Sequence, residues 1–348
     1  LLDVARFWLD RGVDGFRLDA LNHAMADPLL RDNPPAPLEP GQRRTRPFDF
    51  QTKLYSQSQP EMVYFAERLR GLANSYDAVF TMAEIGGSNA LEEMKAFTQG
   101  DHRLNSAYGF DFLYAPELTP QLVADAMAEW PGTRGEGWPS WAFENHDAPR
   151  AVSRWCAPAD MENFARLKMA LLLCLRGNPI IYQGEELGLE QDDIPFELLQ
   201  DPEAIANWPL TLSRDGARTP YPWTDQPLGG FTTGTPWLPL SAANLERAAG
   251  VQEATPHSML KATRRLLSLR QSRAELRHGH FELVEAVRGL LVFRRSLAGS
   301  SVLCAFNLSN TEEAMPPEAA GMTMLASISG GSAAMLPGLS GWIGRSTV

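Results

Sequence analysis

The sequence is poor in cysteine: Cys156, Cys174 and Cys304 are the only three in 348 residues, and they stand far apart. An odd number at such spacing builds neither a disulfide framework nor a run of metal ligands. We expect free, buried thiols. Positive charge is also short, with 31 Lys and Arg against 42 Asp and Glu, a formal net charge of -11, and no stretch rich in Lys or Arg. That balance excludes the electrostatic footprint of a nucleic-acid or anionic-membrane binder and favours a neutral or polar small substrate. Long apolar runs are missing too. The longest, residues 169–175, falls far below the roughly 20 residues that span a bilayer, so no membrane segment is expected. An initiating methionine is absent. Leu1, Val4, Ala5, Phe7 and Trp8 already trace one face of a helix that Gly12 closes. We therefore expect sequence upstream of Leu1 and leave the compartment open, with the cytoplasm favoured.

What is present is enough apolar material, 44% of residues, for one large core and a smaller appended domain. Residues 13–19 read as a short buried strand, and the same unit recurs at 77–84, 108–114, 140–147 and 178–183. Helices are expected at about 89–97 and 120–130. A third, with Asp160 as N-cap and Phe164, Leu167, Leu171 and Cys174 as its stripe, ends at Gly177. Strands alternating with helices make a parallel sheet. Short strands ending in charged residues favour a barrel, whose chemistry sits at the C-terminal strand ends. Asp19, Glu84, His146 and Asp147 fall there, and five of eight barrel strands are counted. Two insertions interrupt the rhythm, a proline-rich one at 27–47 and a loop-rich one at 191–256. From about Gly279 the period changes to two, with strands at 280–287, 290–296 and 302–307, the signature of a small antiparallel β domain.

A carboxylate at a strand end is most often structural, so the neighbours decide. Arg17 lies two residues before Asp19, on the same strand face, and can hold Asp19 ionised as a nucleophile requires. Glu84 ends a nearly apolar strand, where desolvation raises a carboxyl pKa toward that of a general acid. Gly86 and Gly87 after it allow a ligand close to the backbone. The third group is Glu144, Asn145, His146 and Asp147. A His-Asp pair is usually a structural hydrogen bond, but at a barrel strand end it can face substrate. Two carboxyls about 5–5.5 Å apart suffice for glycoside hydrolysis with retention, and a third can stabilise the positive transition state.

The segments DGFRLDALNH (14–23), MAEIGG (82–87) and ENHDAPR (144–150) resemble, in that order, conserved segments of the α-amylase-like glycoside hydrolases, family 13. NPIIYQGEELGL (178–189) and SRDGARTPYPW (213–223) are similar to its oligo-1,6-glucosidase and α-glucosidase branch. The resemblance implies an α/β fold: strands 4 to 8 of a (β/α)8 TIM barrel over residues 1–275, then an antiparallel β domain over 276–348. The family's first conserved segment would lie before Leu1. By resemblance Asp19 is the nucleophile, Glu84 the acid/base and Asp147 the transition-state stabiliser, while Arg17, His146 and Arg214 contact the glucose ring. Arg214 rests on the resemblance alone. No cofactor or metal is implied. The activity implied is that of a retaining, exo-acting α-glucosidase on maltose and short oligosaccharides, through a glucosyl-aspartate intermediate. Ala20 and the proline run at 31–37 lean toward short α-1,4 substrates, since a valine at position 20 goes with α-1,6 bonds. An alternative with the same triad is a transglucosidase or sugar isomerase; one from another class, a non-catalytic glycosidase-like scaffold subunit, implies a broken triad, against which the intact Asp19, Glu84 and Asp147 argue.

Overall fold

Residue contacts divide the chain into two compact units, Leu1–Phe110 with Gly132–Trp141, and Asp111–Pro131 with Ala142–Val348. The structure, a computed structural model, describes residues 1–38, 41, 44, 46–130, 134–211 and 213–346.

The first unit runs helix α1 (Leu2–Leu9), strand β1 (Gly15–Leu18), α2 (Glu61–Ala73), β2 (Phe80–Glu84), α3 (Ala90–Thr98) and β3 (Ser106–Tyr108). The strands form a parallel sheet in the order β1-β2-β3, the succession expected of barrel strands. Its register sets Leu18 beside Ala83 and Glu84 beside Tyr108. Gly15 makes the first pairing possible. At φ +155° a Cβ on this residue would stand 1.8 Å from the Phe80 carbonyl oxygen, so a side chain would push the strands apart. β1 is half-buried to exposed rather than enclosed as expected, because in this sheet it is an edge strand with one neighbour. The expected strand at 108–114 also shifts: Tyr108 ends β3, and residues 111–114 form a turn. α2 was absent from the expected elements, yet Met62, Phe65, Ala66, Leu69 and Leu72 recur at helical spacing and are buried. The proline-rich insertion is ordered where described. Ala36 and Thr52 donate to the carbonyls of Phe50 (3.0 Å) and Pro34 (2.9 Å), while Asp27 holds Arg31.

The expected strands at 140–147 and 178–183 shrink to β4 (Ser140–Ala142) and β5 (Asn178–Ile180). Besides β5, the second unit holds α4 (Pro120–Ala128), α5 (Ala151–Trp155) and α6 (Met161–Cys174). These are followed by the short helices α7 (Pro202–Asn207), α8 (Ala242–Glu246) and α9 (Ala249–Ala254), then α10 (Met259–Ser272) and α11 (Ala274–His278). Most of α6 is buried all round, because it packs on α10 and on the antiparallel sheet. Strands β6 (His280–Val287), β7 (Leu290–Leu297) and β8 (Ser300–Asn307) match the expected period-two segments closely. They are joined by β9 (Glu313–Ala314), β10 (Thr323–Ile328), β11 (Met335–Leu336) and β12 (Ser340–Arg345), with a main sheet ordered β10-β12-β8-β7-β6. Leu290, Val292, Leu303, Leu336 and Trp342 fill its core.

Two buried arginines tie this sheet and α10 to the end of α6. Arg270 donates to the carbonyls of Leu173 (2.5 Å), Leu175 (3.2 Å) and Gly177 (2.6 Å), and Arg295 to those of Cys174 (2.6 Å) and Gly279 (3.0 Å). They satisfy carbonyls that the last turn of a helix leaves without partners. Cys174 and Cys304 are buried free thiols as expected, whereas Cys156 is only half-buried. Among the described residues no helix is long and apolar enough to cross a membrane.

Candidate active site

In the first unit the parallel register brings Arg17, Asp19 and Glu84 together. The Arg17 guanidinium bonds the Asp19 carboxylate and also lies 2.7 Å from Glu84 Oε1. The i, i+2 spacing anticipated the first contact; the second comes from the neighbouring strand. Asp19 is three-quarters exposed at its side chain, and Glu84 only 8%, so the two carboxyls differ sharply in access to water. Tyr108, one strand further, was not anticipated. Its hydroxyl donates to Glu84 Oε1 at 3.0 Å and accepts from Arg17 Nη2 at 2.9 Å. Burial pushes that hydroxyl up to about 12, with the charge of Glu84 adding to the effect and Arg17 opposing it. Burial works against the Arg17 charge, but the bonds to Tyr108 and Asp19 and the field of Glu84 outweigh it and raise its pKa. Directly after Asp19 the chain turns through Ala20 in the left-handed region, at φ 41° and ψ 47°, so that Ala20 N–H donates to Glu84 Oε2 at 3.2 Å.

The second unit gathers His146, Asp147 and Arg214. Asp147 Oδ2 lies 3.3 Å from His146 Nε2, and its Oδ1 meets Arg214 at 3.3 Å and Arg218 at 2.7 Å. Arg218 also donates to the His146 carbonyl at 2.7 Å, fixing the backbone of the pair. Arg218 lies in the 213–223 segment but four residues beyond Arg214, and no local pattern marked it. Arg214 is held from behind by the buried Asp201, through Nε at 2.9 Å, Nη2 at 2.8 Å and its own backbone N–H at 3.0 Å. The bond from Arg214 draws the Asp201 carboxyl down to about 2, against the effect of burial. Asn145 Oδ1 accepts from the backbone N–H groups of Asp147 and Ala148, both at 2.9 Å, and shapes the turn that presents Asp147.

Beneath that turn lies a fully buried ion cluster. Lys168 Nζ sits 2.8 Å from both Glu144 and Glu185, and Arg150 contacts Glu144 at 3.2 Å and the Gln183 carbonyl at 2.8 Å. Four charges, two of each sign, thus link the 144–150 segment to α6 and to the 182–187 turn. Burial disfavours the Glu144 charge, but Lys168 and Arg150 hold its pKa below the ordinary value. Glu185 faces Lys168 without an arginine, and burial raises its pKa. Burying such a cluster is worthwhile only with every partner in place.

In the first unit, two strand-end carboxylates set against one arginine suit chemistry on a neutral substrate that develops positive charge. The family model of the α-amylase catalytic domain matches residues 1–279. The chain belongs to the α-amylase family. It is 42% identical over 318 residues to a probable alpha-glucosidase of Rhizobium meliloti (strain 1021), a match covering 89% of this chain and 57% of that protein. An oligo-1,6-glucosidase of Parageobacillus thermoglucosidasius is 27% identical over 338 residues, covering 88% of this chain and 59% of that protein. Among solved structures, the alpha-glucosyl transfer enzyme XgtA superposes with a TM-score of 0.87 at 40% identity, covering 99% of this chain and 66% of that one. The chain spans about three fifths of the length of these curated relatives. Members of the α-amylase family are TIM-barrel enzymes, and in this chain β6, β7, β8, β10 and β12 form the C-terminal antiparallel sheet.

Proposed function

We propose that this chain carries the catalytic carboxylates of a retaining, exo-acting α-glucosidase acting on α-1,4 or α-1,6 bonds of maltose and short oligosaccharides. The observation that carries the proposal is Arg17 set between Asp19 and Glu84 across paired strands. In this reading Asp19 attacks the anomeric carbon as Glu84 gives its proton to the leaving glycosidic oxygen, forming a glucosyl-aspartate ester. Glu84, now a carboxylate, takes a proton from water; the water oxygen bonds to the anomeric carbon, and Asp19 leaves. Asp147 stabilises the positive charge between these states. Arg17, His146 and Arg214 bind the glucose ring, with Arg214 already set by Asp201. Tyr108 orients the Glu84 carboxyl. We assign the catalytic domain to residues 1–275 and the β domain to 276–348.

Maltose hydrolysis by the protein expressed from its complete reading frame tests the assignment. Asp19→Asn is expected to lower kcat by at least about a thousandfold, as removal of a nucleophile does. Full activity in that variant would sink the mechanism. The likeness to a glucosyl transfer enzyme favours a second reading, in which a sugar rather than water accepts the glucosyl group. Chromatography of the products at high maltose separates the two: glucose alone for hydrolysis, longer or isomeric sugars for transfer.

A further inference from the structure

Glu84 is followed at once by Ile85, Gly86 and Gly87, and a pair of glycines is the segment least able to hold its own shape. Side chains from elsewhere in the first unit supply that hold. The Gly86 carbonyl accepts from two amides, Asn22 Nδ2 and Gln57 Nε2, each at 2.8 Å, so both of its lone pairs are engaged. Asn22 is fully buried, and its Nδ2 also donates to Glu93 of α3 at 2.6 Å. Ser58 N–H donates to the Asn22 carbonyl at 2.7 Å, which fixes the chain next to Gln57. Gly87 stands at φ +101°, in the region that favours glycine, and a Cβ there would lie 2.5 Å from Gln57 Nε2. The room that Gly87 leaves is thus taken up by the Gln57 amide.

The grip bears on Glu84 itself as well as on the turn after it. Asn22 stands two residues beyond Ala20, whose N–H meets Glu84 Oε2 at 3.2 Å. One short turn, Leu21–His23 with Ala20 before it, therefore holds the carboxyl with one group and the backbone two residues further on with another. Tyr108 does the same from the neighbouring strand. Its hydroxyl donates to Glu84 Oε1 at 3.0 Å, and its carbonyl accepts from Ile85 N–H at 3.0 Å. The carboxyl and the backbone that carries it are each pinned from two sides, and Asn22 and Gln57 hold the backbone end without touching the carboxyl.

We propose that Asn22 and Gln57 are positioning residues that set, through the Gly86 carbonyl, where the Glu84 carboxyl stands when it gives its proton to the leaving oxygen. The proposal rests on the reading of Glu84 as the acid/base. Such a role matters in proportion to the leaving group's need for a proton. The sugar leaving from maltose needs one, whereas fluoride leaves α-D-glucosyl fluoride as an anion without one. The test is the ratio of kcat/KM for maltose consumption to kcat/KM for fluoride release, measured on the complete protein. It should fall at least about tenfold in Asn22→Ala and in Gln57→Met, since a shift of 1 Å at a reacting group can cost about a hundredfold. A loss of folded protein lowers both rates together and leaves the ratio alone. Gln57 is half-buried and methionine has nearly its length, so Gln57→Met decides even if Asn22→Ala fails to fold. A ratio equal to the parent's in either folded variant overturns the proposal. Glu84→Gln separates that outcome from failure of the reading beneath it, because its ratio should fall at least about a hundredfold. If it does so while the ratios of Asn22→Ala and Gln57→Met hold, the positioning role alone is lost. A Glu84→Gln ratio equal to the parent's overturns the acid/base reading and the positioning role with it.

Discussion

Asp201 is the residue whose importance the sequence hid most completely. It lies 13 residues from Arg214 in a loop-rich stretch, yet three contacts from Arg214 hold it. Because its carboxyl is drawn from the ordinary 3.8 to about 2 in the fold, the unfolded chain binds the proton first. The pair therefore stabilises the native state fully above about pH 4, and that contribution is lost as pH falls toward 2. Urea unfolding midpoints of the parent and of Asp201→Asn, measured from pH 6 to 2, should converge at the acid end; a constant gap would refute the assignment. Arg17 and Asp19, by contrast, were legible, because strand alternation alone puts residues two apart on one face. Tyr108 was not, since its role depends on which residue of β3 stands beside Glu84.

Among the elements, those with a strong period were the readable ones. α6, α3 and β6 to β8 fall close to where spacing and turn residues place them, whereas the barrel strands shrink to three to five residues once hydrogen bonding defines them. A run such as 140–147 is apolar for much of its length but extended for only three residues, because Asn145 turns the chain to present Asp147. α2 and α10 carry buried stripes too, but each follows an irregular insertion that obscures where its helical period begins. Gly15 gives the element scale its sharpest test. Gly15→Ala would drive a methyl group into the Phe80 carbonyl and part β1 from β2, at a cost of about 3 kcal/mol. Thermal melting checks this, and an unchanged midpoint would show that β1 does not need the close approach.

At the scale of the molecule, the antiparallel sheet was legible as an appended domain but its contribution to α6 was not. Arg295 comes from β7 and reaches the Cys174 carbonyl 121 positions earlier in the chain, beyond any local pattern. Removal of residues 276–348 should therefore leave the end of α6 and its buried apolar surface unsatisfied. A truncated protein ending at residue 275 is expected to lose its cooperative near-ultraviolet unfolding transition; an unaltered transition would show that the sheet is dispensable to α6. The turn after Asp19 has a consequence for how such an enzyme can diverge. Ala20 occupies the left-handed region, where a β-branched side chain is strained by about 1–2 kcal/mol. A lineage that drifts from alanine to valine there spends part of its stability margin, so compensating substitutions elsewhere should precede the change.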